Sequence, residues 1–396
     1  MSFIEIYSQV LNKLILNKLP EAYEHLLNAK PLILDDTQKR QYYKMVLNIS
    51  AKINNKTSAA EACDDLVLSD LDWGAKNDYI NMLSGYITPL QWKKKLHLTT
   101  ITPQSYHISS PSIVQTDVGH YRCNLRAVNY VYNNQHGSYP VRDADGIVRT
   151  RNYVVGLDNQ FDLSNMWEIE ELEIDDFQIY PCHVMGMEDV RLFGEKWFLC
   201  TRLDATTDHH PKMCLGTYDN QMLLDLKILD YNQMGTEKNW LPLYDSASSS
   251  SSASSSFSTS TSSAKIIYSF EPLKIFDLDL ETGEMTPFIE KKLDANKNFS
   301  AFRGSAVPIK YKGGWLMTVH QVYYHQLRKY LHRFVWLSGD FNTYKLSRCF
   351  YFDKVGVEFN LGIAEHPDGL IMTYSVDDNH ATLGMIDYDY LDALLD

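Results

Sequence analysis

The chain has 396 residues, 44% hydrophobic and 22% charged, the composition of a globular protein with a large core and room for a second small unit. Its formal net charge of −13 argues against nucleic acid or an anionic membrane as a main partner, since both demand an extended basic face. Aromatic residues make up 12%, with 26 tyrosines against 7 tryptophans, which suits an all-β body and a sugar site.

The opening Met1-Ser2-Phe3-Ile4-Glu5 lacks the basic and then apolar regions of a signal peptide, and no stretch reaches the ~20 apolar residues of a membrane helix. Six cysteines (Cys63, Cys123, Cys182, Cys200, Cys214, Cys349) are scattered without metal-type spacing, so a reduced, cytoplasmic protein is the expectation.

Residues 1–100 read as an α-helical N-terminal domain. Tyr42, Met45, Val46, Ile49 and Ile53 fall at helical spacing and make one apolar stripe. Pro20 opens a run of helix formers over 21–27, and 59–68 and 76–83 give further short helical patterns. The expected role is packing or docking of a protein partner, with no chemistry of its own.

From about Ser109 the texture changes to short β-type runs separated by Asp, Gly, Asn and Pro. A turn followed by a hydrophobic strand recurs at Glu195–Thr201, Gly313–Val319 and Asp368–Tyr374. Each follows a polar cluster: Glu188-Asp189-Val190-Arg191, Arg303-Gly304-Ser305 and Glu358-Phe359-Asn360. Asn124–Asn129 and Glu237-Lys238-Asn239-Trp240 are similar clusters. Five clusters spaced about 50 to 65 residues apart predict an all-β five-bladed β-propeller over 105–396, with the clusters on the innermost strands. Repeated charge makes a poor core and a good funnel. The Ser/Ala/Thr run over 246–263 cannot bury enough apolar surface to offset its ordering entropy and reads as a disordered insertion in the third blade.

No Walker loop, GxGxxG, HExxH or CxxC pair is present, and His209-His210 with Cys214 reads as a surface turn, so no metal is expected. In the strongest cluster, strand alternation puts Asp189 and Arg191 on one face and Glu188 on the other or at the strand entrance. A structural ion pair explains one such cluster; its repetition around a ring favours a binding funnel.

Glu188-Asp189-Val190-Arg191 resembles the Glu-Asp-Pro-Arg motif of the family 130 glycoside phosphorylases and hydrolases, five-bladed propellers whose motif Asp donates the proton. The resemblance assigns that role to Asp189, while Val190 departs from the family's Pro. Glu237-Lys238-Asn239-Trp240 is similar to the family's Asn-Lys-Asp-Ala, keeping Lys238 and losing the Asp. Tyr374-Ser375-Val376-Asp377-Asp378 is similar to Tyr-Gly-Ala-Ala-Asp, keeping Tyr374 and Asp378. Arg303-Gly304-Ser305, Tyr330-Leu331-His332-Arg333-Phe334 and Glu358-Phe359 before Gly362 are closer still to propeller domains fused to, or encoded beside, glycosyltransferases.

The resemblance implies inverting, acid-assisted transfer of a mannosyl-type residue, with Asp189 protonating the glycosidic oxygen through a sugar hydroxyl while phosphate, water or another sugar attacks. Arg126, Arg191, Lys238, Arg303, His320 and Arg333 are the candidate cations for phosphate. Trp240, Tyr324 and Tyr374 are candidates for sugar stacking. Asn124, Glu358 and Asp378 are candidates for sugar hydroxyls, and Glu188 and Ser305 for substrate or phosphate binding. His325 and Arg328 read as a solvated hairpin. No cofactor is implied beyond inorganic phosphate or a sugar phosphate as co-substrate. The rival expectation is a non-catalytic glycan-binding propeller whose helical domain docks it to a glycosyltransferase or another partner.

Overall fold

The structure is a computed structural model that describes residues 2–395 apart from 54, 56–60, 63, 67, 69–89, 97–105, 134, 170–176, 220–221, 230, 232–234, 246–262, 295–296 and 326, and apart from the side chains of 51, 324 and 325. The helix expected over 76–83 and nearly all of the serine-rich run lie outside the described residues.

Three helices come first: α1 (Phe3–Ile15), α2 (Leu19–Leu27) and α3 (Asp36–Lys52). Ser2 and Glu5 form a capping box that satisfies the first free amides of α1, and Pro20 occupies the first turn of α2. Tyr42, Met45, Val46 and Ile49 of α3 are buried, as their spacing predicts. Their cluster also contains Tyr323, Leu331, Cys349 and Tyr351, so the helices pack directly on the propeller. Asp64 seals that contact. Its carboxylate accepts hydrogen bonds from the fully buried Arg333 guanidinium and from the Cys349 amide.

The next strand, β1 (Trp92–Leu96), corrects the helical reading of the first hundred residues at its end. It pairs antiparallel with β22 (His380–Ile386), Trp92 opposite Met385, and so joins the last blade to a chain segment that precedes the first. Leu96 is its buried residue, among three lysines that hide the strand from a pattern search.

Five sheets follow. The first holds β2 (His107–Asp117), β3 (His120–Val128), β4 (Val148–Leu157) and β5 (Leu163–Glu168), with β6 (Val184–Met185) parallel to β4. The second holds β7 (Glu188–Phe193), β8 (Trp197–Arg202), β9 (Lys212–Asp219) and β10 (Met222–Ile228). The third holds β11 (Leu241–Leu243), β12 (Ser263–Phe270), β13 (Leu273–Asp279) and β14 (Met285–Lys291). The fourth holds β15 (Arg303–Gly304), β17 (Gly314–His325), β18 (Leu327–Ser338) and β19 (Tyr344–Leu346), with β16 (Ile309–Tyr311) beside β17. The fifth holds β20 (Glu358–His366), β21 (Gly369–Val376), β22 and β1. The protein is a five-bladed β-propeller with a short N-terminal helical segment.

Alternation within strands builds the ring. Every residue of β8 is buried, because each face meets a different blade. Phe198 and Cys200 pack with Val154 of the first blade, whereas Trp197 and Leu199 pack with Ile266 of the third. The same two-sided pattern gives one apolar layer between each pair of neighbouring blades.

The inner strands are β2, β7, β11, β15 and β20. Three of the predicted clusters start on these strands and 237–240 ends just before β11, but 124–129 begins on β3, the second strand of its blade. The inner strand there, His107–Asp117, is mostly Ser, Pro, Ile and Val, so charge did not mark it.

Candidate functional site

Where the inner strands begin, a cavity of about 480 Å³ opens on the channel axis, with residues from all five blades in its wall. A larger hollow of about 680 Å³ lies at the other ends of the same strands and shares no wall residue with it. Fully buried Arg191 lies on β7 between the β7 residues that line the two. Its guanidinium donates to the carbonyls of Asp189 (3.1 Å), Ser305 (3.1 Å) and Gly304 (3.4 Å) and to Asn239 Oδ1 (3.3 Å).

Four wall residues from different blades hold a left-handed backbone without being glycine: Ser110 (φ 42°), Asp189 (52°), Asn239 (65°) and Asp378 (50°). Such conformations cost of order 1–3 kcal/mol each and gather at functional sites. Bulges between Ser109 and Ser112 in β2 and between Glu188 and Arg191 in β7 re-aim the side chains there.

The charged centre is Arg126, reaching in from β3. Its Nη2 donates to Glu188 Oε1 at 2.5 Å and its Nη1 to Asp189 Oδ1 at 3.2 Å, and Lys238 Nζ lies 3.6 Å from Glu188 Oε2. Burial works to lower Arg126, but Glu188, Tyr130, Asp189 and Asp378 outweigh it and hold the guanidinium above its ordinary value. Burial works to raise Glu188, and Arg126 with Lys238 reverses the sign and keeps that carboxyl low. For Asp378 burial wins, aided by Asp189 and Glu188 against Arg126 and Arg328, and the carboxyl is pushed up to about 6. The Tyr130 hydroxyl donates to it at 3.4 Å.

The wall opposite is aromatic. His320 stacks on Tyr330 with ring centres 5.5 Å apart and meets the Phe359 edge at 5.1 Å, while its Nδ1 shares a 3.0 Å hydrogen bond with Ser305 Oγ. Burial, with His332, Arg303 and Arg191 nearby, keeps His320 neutral far below its usual range. Tyr130 and Tyr139 meet edge to face at 5.2 Å. Arg303 is exposed in the wall and makes no ion pair with any described residue.

Of the residues expected from sequence, Arg126, Glu188, Asp189, Lys238, Arg303, His320 and Asp378 line this cavity together. Others do not, and their roles are corrected. Arg191 is tied to main-chain carbonyls, and burial lowers it to about 10. Arg333 is spent on Asp64 and the Ser347 carbonyl. Asn124 is buried and donates to Asn152 Oδ1 at 3.0 Å. Trp240 is core, 5.1 Å from the Tyr268 ring, and Ser305 serves His320. Glu358 accepts the amides of Phe352, Asp353 and Lys354 at 2.7, 2.7 and 2.8 Å, and burial still pushes it up to about 7. Tyr374 stacks on Phe352 at 4.3 Å and donates to Asp353. The Tyr324 side chain lies outside the described residues.

The sequence reading missed Ser110, Tyr130, Tyr139, Asn239, Tyr330 and Phe359, and it took Arg328 for a solvated hairpin residue. That hairpin, β17–β18, is long enough for Arg328 to reach Tyr139 of the first blade at 2.9 Å. The available signal was the unusual length of the strand-favouring runs on either side of it.

No family model matches the chain, and no curated protein matches it. Solved structures do. A β-1,2-mannobiose phosphorylase from Listeria innocua is 15% identical, covering 79% of this chain and 97% of its own at a TM-score of 0.45. A structure from a study of glycoside hydrolases within the family 130 mannoside phosphorylases is 11% identical, covering 75% and 97%, at 0.47. A glycosyl hydrolase from Bacteroides ovatus is 12% identical, covering 76% and 91%, at 0.45.

Proposed function

We propose that this chain is a carbohydrate-active enzyme acting on β-mannoside-type glycans by inverting transfer to phosphate, water or another sugar. One observation carries the reading. Five blades bring three carboxyls, an aromatic wall and an exposed guanidinium, unpaired among the described residues, into one cavity within the ~300–1,000 Å³ range of small-ligand pockets. Asp189 protonates the glycosidic oxygen, Tyr130, Tyr139 and Tyr330 offer ring faces and hydroxyls to the sugar, and Arg303 with Lys238 receives an anionic co-substrate. The mannoside class rests on the motif resemblance around Asp189, Lys238 and Asp378.

The test is an assay for mannose and mannose 1-phosphate released from a panel of β-mannosides, with and without phosphate and in both directions. Release by the wild type supports the reading, and phosphate dependence selects phosphorolysis over hydrolysis. Tight sugar binding without turnover of any donor would replace the enzyme with a glycan-binding module.

A further inference from the structure

Behind the funnel, buried side chains converge on the turn that carries Glu188 and Asp189. The backbone there is bent, with Gly186 (φ 93°) and Asp189 (φ 52°) both left-handed and the β7–β8 register shifting between Glu188 and Arg191. The Gly186 amide donates to Asp204 Oδ2 at 2.9 Å, and Arg202 grips that carboxylate from Nε (2.8 Å) and Nη2 (2.9 Å). The Met187 carbonyl accepts from two side chains of β4, Thr150 Oγ1 and Asn152 Nδ2, each at 3.0 Å. Asn152 Oδ1 in turn accepts from Asn124 of β3 at 3.0 Å. Thr150, Asn152 and Asp204 are buried, and none of the three lines the cavity.

We propose that Thr150 and Asn152 are positioning residues of the funnel: with Asp204 on the other side, they clamp the turn and fix where the Glu188 and Asp189 carboxyls stand in the cavity. This rests on the functional reading above. A carbonyl oxygen has two lone pairs, and that of Met187 has a donor for each. Rotating the 187–188 peptide would swing both carboxyls and would strip the Thr150 hydroxyl and the Asn152 amide of this acceptor in the interior, where unmade hydrogen bonds are costly. Bonds that served only to staple the first blade to the second would spread along their interface, which already has an apolar layer of Val154 against Phe198 and Cys200. These bonds meet instead on Gly186 and Met187, the two residues just before the carboxyls. Misplacing a reacting group by ~1 Å costs on the order of 10²-fold in rate, so such a clamp governs turnover without touching the sugar.

The test separates placement from folding. Thr150→Val keeps the branched shape that suits a strand and removes the hydroxyl, Asn152→Ala removes the amide, and Thr150→Ser retains the hydroxyl as a control. Each protein is assayed on the β-mannoside that the wild type turns over fastest, at a temperature below the onset of its own thermal melt. Thr150→Val should lower kcat about tenfold and the double variant with Asn152→Ala about 10²-fold, with KM within about threefold of wild type. Thr150→Ser should restore kcat to within about threefold. Hydrogen exchange over residues 184–190 should quicken in the double variant while that of β12 and β13 stays unchanged. If the double variant does not fold, Thr150→Val and its serine control carry both measurements. A wild-type kcat in folded Thr150→Val overturns the proposal and leaves the functional reading standing. A loss of kcat that serine fails to restore, or one matched by an equal rise in KM, overturns it as well. No wild-type turnover of any glycoside overturns the functional reading and the catalytic role of the clamp. Exchange then judges the clamp by itself: quickening confined to 184–190 supports it, and unchanged exchange there overturns it.

Discussion

His332 offers a quantitative test of how the fourth blade is packed. The ring is fully buried between Phe350 and Phe352, and neither nitrogen has a hydrogen-bond partner among the described residues. Burial lowers it from 6.5 to about 3. Below pH 6.5 the unfolded chain therefore takes up a proton that the folded chain refuses. Stability is intact above 6.5 and is lost as pH falls, by about 1.4 kcal/mol per pH unit, until the folded ring itself titrates near 3. At pH 5 the loss from this one residue is about 2 kcal/mol, or roughly 2–3 °C in Tm for a chain of this size. His320 and the carboxyls titrate as well, so the informative quantity is a difference. His332→Phe keeps the aromatic packing and removes both nitrogens. It should raise stability at pH 8, by about 1–3 kcal/mol for the unpaired polar atoms. Its advantage should widen by a further ~2 kcal/mol at pH 5. Denaturant titrations of both proteins at the two pH values measure this. An advantage that stays constant between pH 8 and pH 5 would refute the reasoning, since it would mean that the folded protein protonates His332 as easily as the unfolded one does.

The contact of helices with propeller should be as unforgiving. Asp64→Ala leaves the Arg333 guanidinium buried and uncompensated and should cost about 3–5 kcal/mol in chemical denaturation, where a loss under ~1 kcal/mol would show a dispensable contact. Gly362→Ala puts a Cβ 2.5 Å from the Ile113 amide nitrogen, where the fifth and first inner strands meet, and should destabilise by about 1–3 kcal/mol. An unchanged melt would mean that the two strands separate freely. Arg303→Ala should weaken phosphate or mannose 1-phosphate binding at least about tenfold by calorimetry and leave the melt unchanged, because its side chain is exposed and pairs with no described residue. Equal affinity in both proteins would remove Arg303 from the anion site.

The blades were legible because strand alternation is local. Trp197, Phe198, Leu199 and Cys200 state their two buried faces within four consecutive residues, whichever blades come to lie beside them. Glu188, Asp189, Lys238 and Arg303 were legible for a related reason. Charge at the start of an otherwise apolar inner strand has few places to go except the channel mouth. Closure of the ring was not legible, because Trp92–Leu96 becomes a strand only when β22 offers it an edge.

The partner of each charge was beyond the sequence for the same reason. Arg333 and Asp64 are 269 residues apart, and Arg191 satisfies itself on carbonyls of Gly304 and Ser305 more than a hundred residues on. A motif names a guanidinium but not what it will meet. Tyr130, Tyr139 and Arg328 sit on excursions whose direction depends on neighbouring blades, so no period marks them. Which carboxyl meets a guanidinium was likewise decided in three dimensions. Glu188, Asp189 and Asp378 are alike as letters, and the two hands of Arg126 reach only the first two.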